Sequence, residues 1–249
     1  MYEMSFAAGE PQEDRVHVEL SALFEKDGRT TTVKGFYAGN GSYRLRFLPL
    51  EAGTYTYRVT GNLPDGSAEG FRRIGEQGSV TAEPAIKGAC SLVRAAGTRF
   101  VCADDSRFQP FGTTVYALIH QGRERLEETF ETLRQSPFNK IRFCLFPKHF
   151  EFNHNEPELF AFEREGDGWN TRKPVPADWE LLDDTIKRLG ELEIQADLIL
   201  FHPYDRWGFA ALTGEQRLDY LEYLCRRLGA YPNIWWSLAN EYDQLDHIT

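Results

Sequence analysis

The chain has 249 residues, of which 28 are Lys or Arg and 38 are Asp or Glu, for a formal net charge of -10 at pH 7. Because these charges form no long block of one sign, we expect neither nucleic acid nor a membrane as partner, and the composition suits a neutral ligand such as a sugar. No apolar run approaches the roughly 20 residues of a membrane-spanning helix, and residues 1–11 lack the features of a secretory signal, so we expect a cytoplasmic protein.

The four cysteines show neither a CxxC motif nor the spacing of zinc ligands. We therefore expect Cys90, Cys102, Cys144 and Cys225 to be free thiols, and we expect no metal and no cofactor. A Cys90–Cys102 disulfide is the alternative, because these two residues lie close together across a predicted hairpin.

Residues 1–84 consist of short runs in which apolar and polar positions alternate. In the clearest run, Tyr43, Leu45 and Phe47 occupy the inward positions, with Arg44 and Arg46 among the polar positions between them. Turn residues separate the runs, at Lys26-Asp27-Gly28 and Gly39-Asn40-Gly41. Four to seven such strands predict an antiparallel, immunoglobulin-like β-sandwich, and residues 85–107 a connecting β-hairpin segment.

From residue 108 onward, predicted strands alternate with predicted helices. The strands are Phe108–Ile119, Ile141–Phe146, Ala196–Phe201 and Ile234–Ala239. The helices between them carry apolar stripes, formed by Leu126, Phe130 and Leu133, by Trp179, Leu182, Ile186 and Leu189, and by Leu218, Leu221, Cys225 and Leu228. This order implies a parallel sheet covered by helices. Because no strand is followed by a glycine-rich phosphate loop, we favour the first half of a (β/α)8 TIM barrel over residues 108–249, with a doubly wound sheet as the alternative.

The stretch from Pro147 to Pro176 has no clear period and is too long for a routine connection. We therefore expect it to be an active-site loop. The residues expected to shape ligand choice are Phe150, Phe152, Asn153, Asn155, Trp169 and Asn170.

In both parallel architectures the chemistry lies at the carboxyl ends of the strands. Hydrogen-bonding side chains follow every predicted strand there, which indicates a site. The candidate substrate-binding residues are His120, Arg142, Lys148, His149, His202, Tyr204, Asp205, Trp207 and Asn240. Trp207 is the candidate for stacking on a sugar ring, with core or loop packing as its alternative role.

Glu241 is the candidate catalytic acid/base. A carboxyl group at the end of an apolar strand, walled by aromatic rings, can hold a proton for a leaving oxygen near neutral pH. Asn240 can hydrogen-bond a sugar 2-hydroxyl. Arg142, within the second strand, is expected either to hold a catalytic carboxylate ionised or to form a structural ion pair.

Several longer motifs carry a resemblance to a known family. They are GFYAG at 35–39, YRLRFLP at 43–49, GTYTY at 53–57, FPKH at 146–149, NHNEP at 153–157, ADLILFHPYDRWGF at 196–209 and WSLANE at 236–241. With these motifs the chain resembles bacterial glycosidase-like proteins in which a domain of unknown function (DUF5060) precedes an apiosidase-like, DUF4038-type barrel. The resemblance covers nearly the whole chain, and the motif at 196–209 is highly specific.

This resemblance implies a retaining glycoside hydrolase that acts on plant or microbial oligo- or polysaccharides, with Glu241 as its acid/base. The nucleophile of such enzymes is a second Glu after the seventh strand, which this sequence does not contain. We therefore expect a truncated chain with little or no hydrolase activity alone. Because a half barrel exposes strand edges and apolar faces, we also expect it to form homo-oligomers.

Two other function classes stay open. A non-catalytic carbohydrate-binding or assembly module would account for the missing nucleophile. A metal-dependent hydrolase using His120, His149 and His202 has less support, because the sequence contains no HxH or HExxH motif that includes them.

Overall fold

The computed structural model describes residues 1–11, 13–64, 70–84, 90–149, 151 and 156–245. These residues form mostly β-sheets with a few helices, and the chain divides into two compact units. The first unit comprises Met1–Ile86, Asn170–Pro176 and Gly214–Tyr231, and the second comprises Lys87–Trp169, Ala177–Thr213 and Pro232–Thr249. The domain boundaries that the sequence suggests, at residues 84 and 107, stay predictions.

The α-helices in the described ranges are α1 (Arg123–Arg134), α2 (Pro176–Glu191) and α3 (Gly214–Leu228). Pro176 opens α2 at the first helical position, where its fixed φ favours the helix and its missing N–H is not needed. Helices α1 and α2 bury the apolar stripes predicted for them, including Phe130 and Trp179. None of these helices is both long enough and apolar enough to cross a lipid bilayer.

In the first unit, two antiparallel sheets share one hydrophobic core. Their strands are β1 (Tyr2–Ala7), β2 (Leu20–Lys26), β3 (Arg29–Lys34), β4 (Phe36–Gly39), β5 (Ser42–Phe47), β6 (Gly53–Gly61) and β7 (Gln77–Ala82). The sheet orders are β1-β5-β4 and β3-β2-β6-β7. Alternate residues of both sheets enter the core, where the rings of Phe24 and Phe47 stack with centroids 3.8 Å apart. The predicted antiparallel strand pattern is therefore present.

Both turns predicted in this region are two-residue hairpin turns. Asp27 and Gly28 have φ of 51° and 74°, and Asn40 and Gly41 have φ of 52° and 67°. Asn, Asp and Gly tolerate this left-handed conformation better than other residues, and its twist matches that of the flanking strands. These turns fix the registers of β2 with β3 and of β4 with β5.

Arg46 departs from the alternation on which the sequence reasoning relied. Although it lies at a polar position of β5, only 2% of the residue is exposed. Its Nε donates to Glu3 Oε2 at 2.7 Å, and its Nη1 donates to the backbone oxygen of Arg227 at 2.7 Å. The guanidinium is therefore a buried link between β5, β1 and the end of α3.

Helix α3 buries only part of the stripe predicted for it, because Leu228 is buried and Leu221 is half-buried but the other two residues are exposed. Leu218 is 68% exposed and Cys225 is also exposed, whereas Tyr220, Tyr223, Leu224 and Arg227 are buried. The prediction was wrong for Leu218 and Cys225 because the true contact face is aromatic and polar as well as aliphatic. Tyr223, for example, donates through its hydroxyl to the backbone oxygen of Tyr37 at 2.8 Å.

The remaining strands, in chain order, are β8 (Val93–Ala96), β9 (Arg99–Cys102), β10 (Arg107–Phe108), β11 (Gly112–Thr114), β12 (Lys140–Cys144), β13 (Phe162–Glu165), β14 (Gly168–Pro174), β15 (Gln195–Phe201) and β16 (Ile234–Ala239). Strands β11, β12, β15 and β16 form a parallel sheet in that order. The order along the sheet is thus the order along the chain.

The first parallel strand is much shorter than predicted. The apolar run Phe108–Ile119 contains the end of β10, then β11, and then turns from Tyr116 onward. Phe108 pairs antiparallel with Phe100 instead of joining the parallel sheet. The run is apolar because Ala117, Leu118 and Ile119 are buried, not because they are extended.

The prediction of four free thiols is wrong for two of them. Cys90 and Cys102 form a disulfide, with Cα atoms 5.1 Å apart. The antiparallel pairing of β8 with β9 places Cys102 opposite Val93, which brings it near the residues that precede β8. Cys144 and Cys225 are free.

The stretch from Pro147 to Pro176, predicted as an irregular loop, contains the paired strands β13 and β14. Gly166, with φ of 58°, lies in the turn between them. Buried Phe162 and Trp169 anchor this hairpin, so its apolar residues serve packing. Four residues expected to shape ligand choice lie outside the described ranges, namely Phe150, Phe152, Asn153 and Asn155.

Candidate functional site

The carboxyl ends of the four parallel strands meet at one edge of the sheet, as parallel pairing requires. Backbone hydrogen bonds also join neighbouring segments at and beyond the ends of these strands. Cys144 N–H donates to the oxygen of Tyr116 at 2.9 Å, His149 N–H to that of Tyr204 at 3.0 Å, and Asn240 N–H to that of Phe201 at 2.9 Å. The segments that follow the strands are thereby held beside one another.

Two buried histidines lie at this edge. Burial, reinforced by the nearby His202, lowers the pKa of His120 to about 3, although a hydrogen bond with the Leu145 backbone acts in the opposite direction. Burial also lowers the pKa of His202, whose Nε2 lies 3.1 Å from the oxygen of Phe146. Both rings are therefore neutral at physiological pH. Within the described residues, the Nδ1 atoms of His120, His149 and His202 are buried and have no hydrogen-bond partner.

Lys148 lies between two tyrosine rings. Its Nζ is 3.8 Å from the ring centroid of Tyr116 and 4.0 Å from that of Tyr204. Burial lowers the pKa of this ammonium, while the neighbouring Cys144 and Glu241 act to raise it. Lys148 and Glu241 are thus close enough for their charges to interact. Sequence reasoning missed Tyr116, because its position after β11 was hidden inside an apolar run taken for strand.

Asn240 and Glu241 follow β16. Glu241 adopts the left-handed conformation, with φ of 51° and ψ of 54°, and begins the short 3-10 helix Tyr242–Gln244. Asn240 is half-buried and Glu241 is exposed. The described residues therefore do not enclose Glu241, because β16 is an edge strand with no described neighbour on its far side.

Arg142 does not pair with Glu241 in the hydrogen bonds and ion pairs of the described residues. Its Nη2 donates to Ser237 Oγ at 3.1 Å, and its Nε lies 3.9 Å from Asp197 Oδ2, an oxygen that Lys140 also contacts. These side chains line an open groove of about 680 Å³ with Trp235. Arg142 is thus in contact with Ser237 and Asp197, and its role at a catalytic carboxylate stays a prediction.

Asp205 and Trp207 form hydrogen bonds that stabilise the loop after β15. Asp205 accepts hydrogen bonds from the backbone N–H groups of Trp207 at 2.7 Å and Ala210 at 2.6 Å. Trp207 is 8% exposed, and its indole N–H donates to Glu156 Oε2 at 2.7 Å. Little of the Trp207 ring is open to a sugar, so its placement fits the packing role better than the stacking role.

The tryptophans of the strand and hairpin also pack. Trp169 stacks on Phe209 with centroids 4.4 Å apart, and Trp235 contacts Phe100 at 4.7 Å. Trp236 is 46% exposed on the opposite face of β16. In the described part of the chain no group of three or more His, Cys, Asp or Glu residues is arranged to hold a metal ion.

Comparisons with known proteins identify two similarities. Residues 2–62 match the family model described as a domain of unknown function (DUF5060). A structure of a presumed glycoside hydrolase from Bacteroides vulgatus ATCC 8482 aligns with a TM-score of 0.89 and 36% identity, over 100% of this chain and 50% of that chain. The chain therefore spans half the length of that protein. The search of curated proteins gave no match.

Other solved structures align more loosely. A glycoside hydrolase structure is 14% identical over 62% of this chain and 35% of that chain, with a TM-score of 0.45. An endo-1,4-beta-mannanase from Rhizomucor miehei is 16% identical over 61% of this chain and 48% of its own, with a TM-score of 0.46. The similarity of this chain to a glycoside hydrolase thus depends on the Bacteroides vulgatus structure, which matches it from end to end.

Proposed function

We propose that this chain carries the acid/base half of a retaining glycoside hydrolase site, with Glu241 as the acid/base. The observation that carries the proposal is the position of Asn240-Glu241 after β16, at the edge where Lys148 and His202 also lie. The end-to-end similarity to the Bacteroides vulgatus structure supports it. Oligo- or polysaccharides of plant or microbial origin are the proposed substrates, and an apiosidase-like, DUF4038-type enzyme is the proposed subfamily.

In this mechanism the carboxyl group of Glu241 gives its proton to the glycosidic oxygen as the bond to the anomeric carbon breaks. A carboxylate nucleophile, supplied outside this chain, bonds to the anomeric carbon, and Glu241 then takes a proton from the water that releases the sugar. Asn240 would hold the 2-hydroxyl. His120 and His202 stay proposed substrate-binding residues because they lie at the same edge of the sheet, each with a buried Nδ1 atom that has no described partner.

For the fold, we propose an immunoglobulin-like sandwich followed by the first half of a (β/α)8 barrel. The observations that favour this interpretation are four parallel strands in chain order and the polar side chains at their carboxyl edge. On edge strand β16, Trp236 is 46% and Leu238 is 58% exposed. Because the matched structure is twice as long, we propose that further β/α units cover this surface, or that a second copy does so in a homo-oligomer.

Replacing Glu241 with Gln tests the proposal in a version extended by the missing half of the barrel. The enzyme should lose turnover of its glycan and keep its affinity for it. Glu124→Gln, an exposed change in the first turn of α1, is the matched control and should leave both unchanged. Full turnover by the Glu241→Gln variant would reject Glu241 as the acid/base.

A non-catalytic carbohydrate-binding or assembly module is the second candidate, favoured by the exposed position of Glu241 after β16. The intact mass of the natural product in its source cells separates the two. A mass near 28.6 kDa would favour the binding module or an oligomer, and roughly twice that mass would favour the enzyme.

The cytoplasmic location expected from the sequence stays an untested prediction, and the Cys90–Cys102 disulfide counts against it because disulfides are more common in oxidising compartments. The redox state of these two cysteines in freshly lysed, alkylated cells distinguishes the locations. Reduced thiols would support the cytoplasm, and a disulfide would contradict it.

A further inference from the structure

Lys148 has an environment that neither the sequence motifs nor the comparisons explain. Its ammonium group lies over two tyrosine faces, at 3.8 Å from Tyr116 and 4.0 Å from Tyr204. An ammonium over one aromatic face gains about 0.5–2 kcal/mol, and more where water is excluded. The flexible lysine stem alone would not fix the position of the ammonium group, but contact with two ring faces does.

The two rings are themselves fixed to neighbouring strand ends. The backbone oxygen of Tyr116 accepts a hydrogen bond from Cys144 N–H at 2.9 Å, at the end of β12. The backbone oxygen of Tyr204 accepts one from His149 N–H at 3.0 Å, one residue beyond Lys148. The lysine and both rings are therefore held by the same edge of the parallel sheet.

We propose that Tyr116, together with Tyr204, is a positioning residue that holds the Lys148 ammonium as the fixed cation of the Glu241 site. This inference rests on the proposed glycosidase function. Arg142, the residue first considered for a fixed cation, is occupied by Ser237 and Asp197. The Glu241 carboxylate acts to raise the pKa of Lys148, whereas the nearby Cys144 is a neutral thiol because burial raises its pKa to about 12. The charge of Lys148 in turn lowers the pKa of His202.

The role of the cation follows from the proton transfer. When Glu241 gives its proton to the leaving oxygen, its carboxyl group becomes a carboxylate, and a cation already in place stabilises that new charge without reorganisation. Without the Tyr116 ring, the ammonium would keep the Tyr204 face but would be held less firmly, and part of this stabilisation would be lost. Tyr116 therefore acts through Lys148 and does not itself contact the reacting atoms.

The first test uses the 249-residue chain and needs no activity. Ring currents should shift the ε-methylene protons of Lys148 upfield in the NMR spectrum of the wild type and of Tyr116→Phe, which keeps the ring. Tyr116→Leu should remove much of this shift. Lys140, whose Nζ lies 5.0 Å from the Trp235 ring, is the internal reference and should not change. An unchanged Lys148 shift in Tyr116→Leu would overturn the proposal.

The second test measures turnover in the length-extended protein. Tyr116→Leu should lower kcat about tenfold with little change in KM, and Tyr116→Phe should restore it to within about twofold of wild type. Equal rates for Leu and wild type would overturn the role of Tyr116. Absence of turnover in the wild type, with the NMR result as expected, would instead reject the proposed function.

Discussion

Arg46 gives a direct test of the packing in the first unit. None of its side chain is exposed, and it donates to Glu3 and to the backbone oxygen of Arg227, each at 2.7 Å. Arg46→Met keeps much of the apolar stem but removes the charge and both hydrogen bonds. Removing one partner of a buried ion pair costs about 3–5 kcal/mol. We expect the lower end, about 3 kcal/mol, because the Glu3 side chain is 30% exposed and can be hydrated.

With a urea m-value of about 2 kcal/mol/M, this loss would lower the unfolding midpoint by about 1.5 M. Hydrogen exchange in β5 and α3 is the appropriate probe, because all five tryptophans lie in the second unit. Arg29→Met is the control, since its side chain is 86% exposed and its loss should cost under about 0.5 kcal/mol. Equal destabilisation by the two changes would refute the reasoning.

Three further predictions concern other parts of the chain. Alkylation in denaturant without reductant should label Cys144 and Cys225 only, and four labelled thiols would contradict the disulfide. Replacing Cys90 and Cys102 with Ala should lower the free energy of unfolding by about 3 kcal/mol, as expected for a disulfide with a sequence separation of 12 residues. Because the folded pKa of His120 is lowered to about 3, its contribution to stability is complete above its unfolded pKa of about 6.5 and is lost as the pH falls towards 3. His120→Gln should therefore reduce the pH dependence of urea unfolding between about pH 4 and 6 by up to about 1.4 kcal/mol per unit, and an unchanged slope would argue against a buried neutral ring. In α3, Leu218→Ala should be nearly neutral because Leu218 is 68% exposed, whereas Tyr220→Ala should cost about 3–5 kcal/mol, and thermal unfolding that ranks them the other way would reject the observed face.

The parts of the fold that the sequence predicts well are those in which one local pattern has one solution. In α2 the apolar residues form a single stripe, Trp179, Leu182, Ile186 and Leu189, so the buried face is unambiguous and all four residues are buried. In α3, by contrast, an aliphatic stripe and an aromatic stripe compete, and contacts with the sheets of the first unit decide in favour of Tyr220 and Tyr223. The sequence pattern of that helix alone could not settle the choice.

In the candidate site, too, some features can be predicted from the sequence and others cannot. Parallel pairing guarantees that residues after successive strands come together, so the region of Lys148 and His202 is predictable. The exposure of Glu241 is not, because it depends on what lies beyond edge strand β16. Tyr116 could not be identified from the sequence, because the apolar run that contains it looks the same whether the strand ends at Thr114 or continues to Ile119. The pairing of Cys90 with Cys102 depends on the register of β8 with β9, which spacing suggests but does not determine.

The most direct measurement of the central claim compares leaving groups in the length-extended protein carrying Glu241→Gln. An acid catalyst matters most when the leaving oxygen is a poor one, because that oxygen must be protonated as the bond breaks. The account predicts a large loss of turnover on the natural glycan or an alkyl glycoside and a much smaller loss on a dinitrophenyl glycoside. An equal loss on both substrates, or no loss on either, would contradict the assignment of Glu241 as the acid/base.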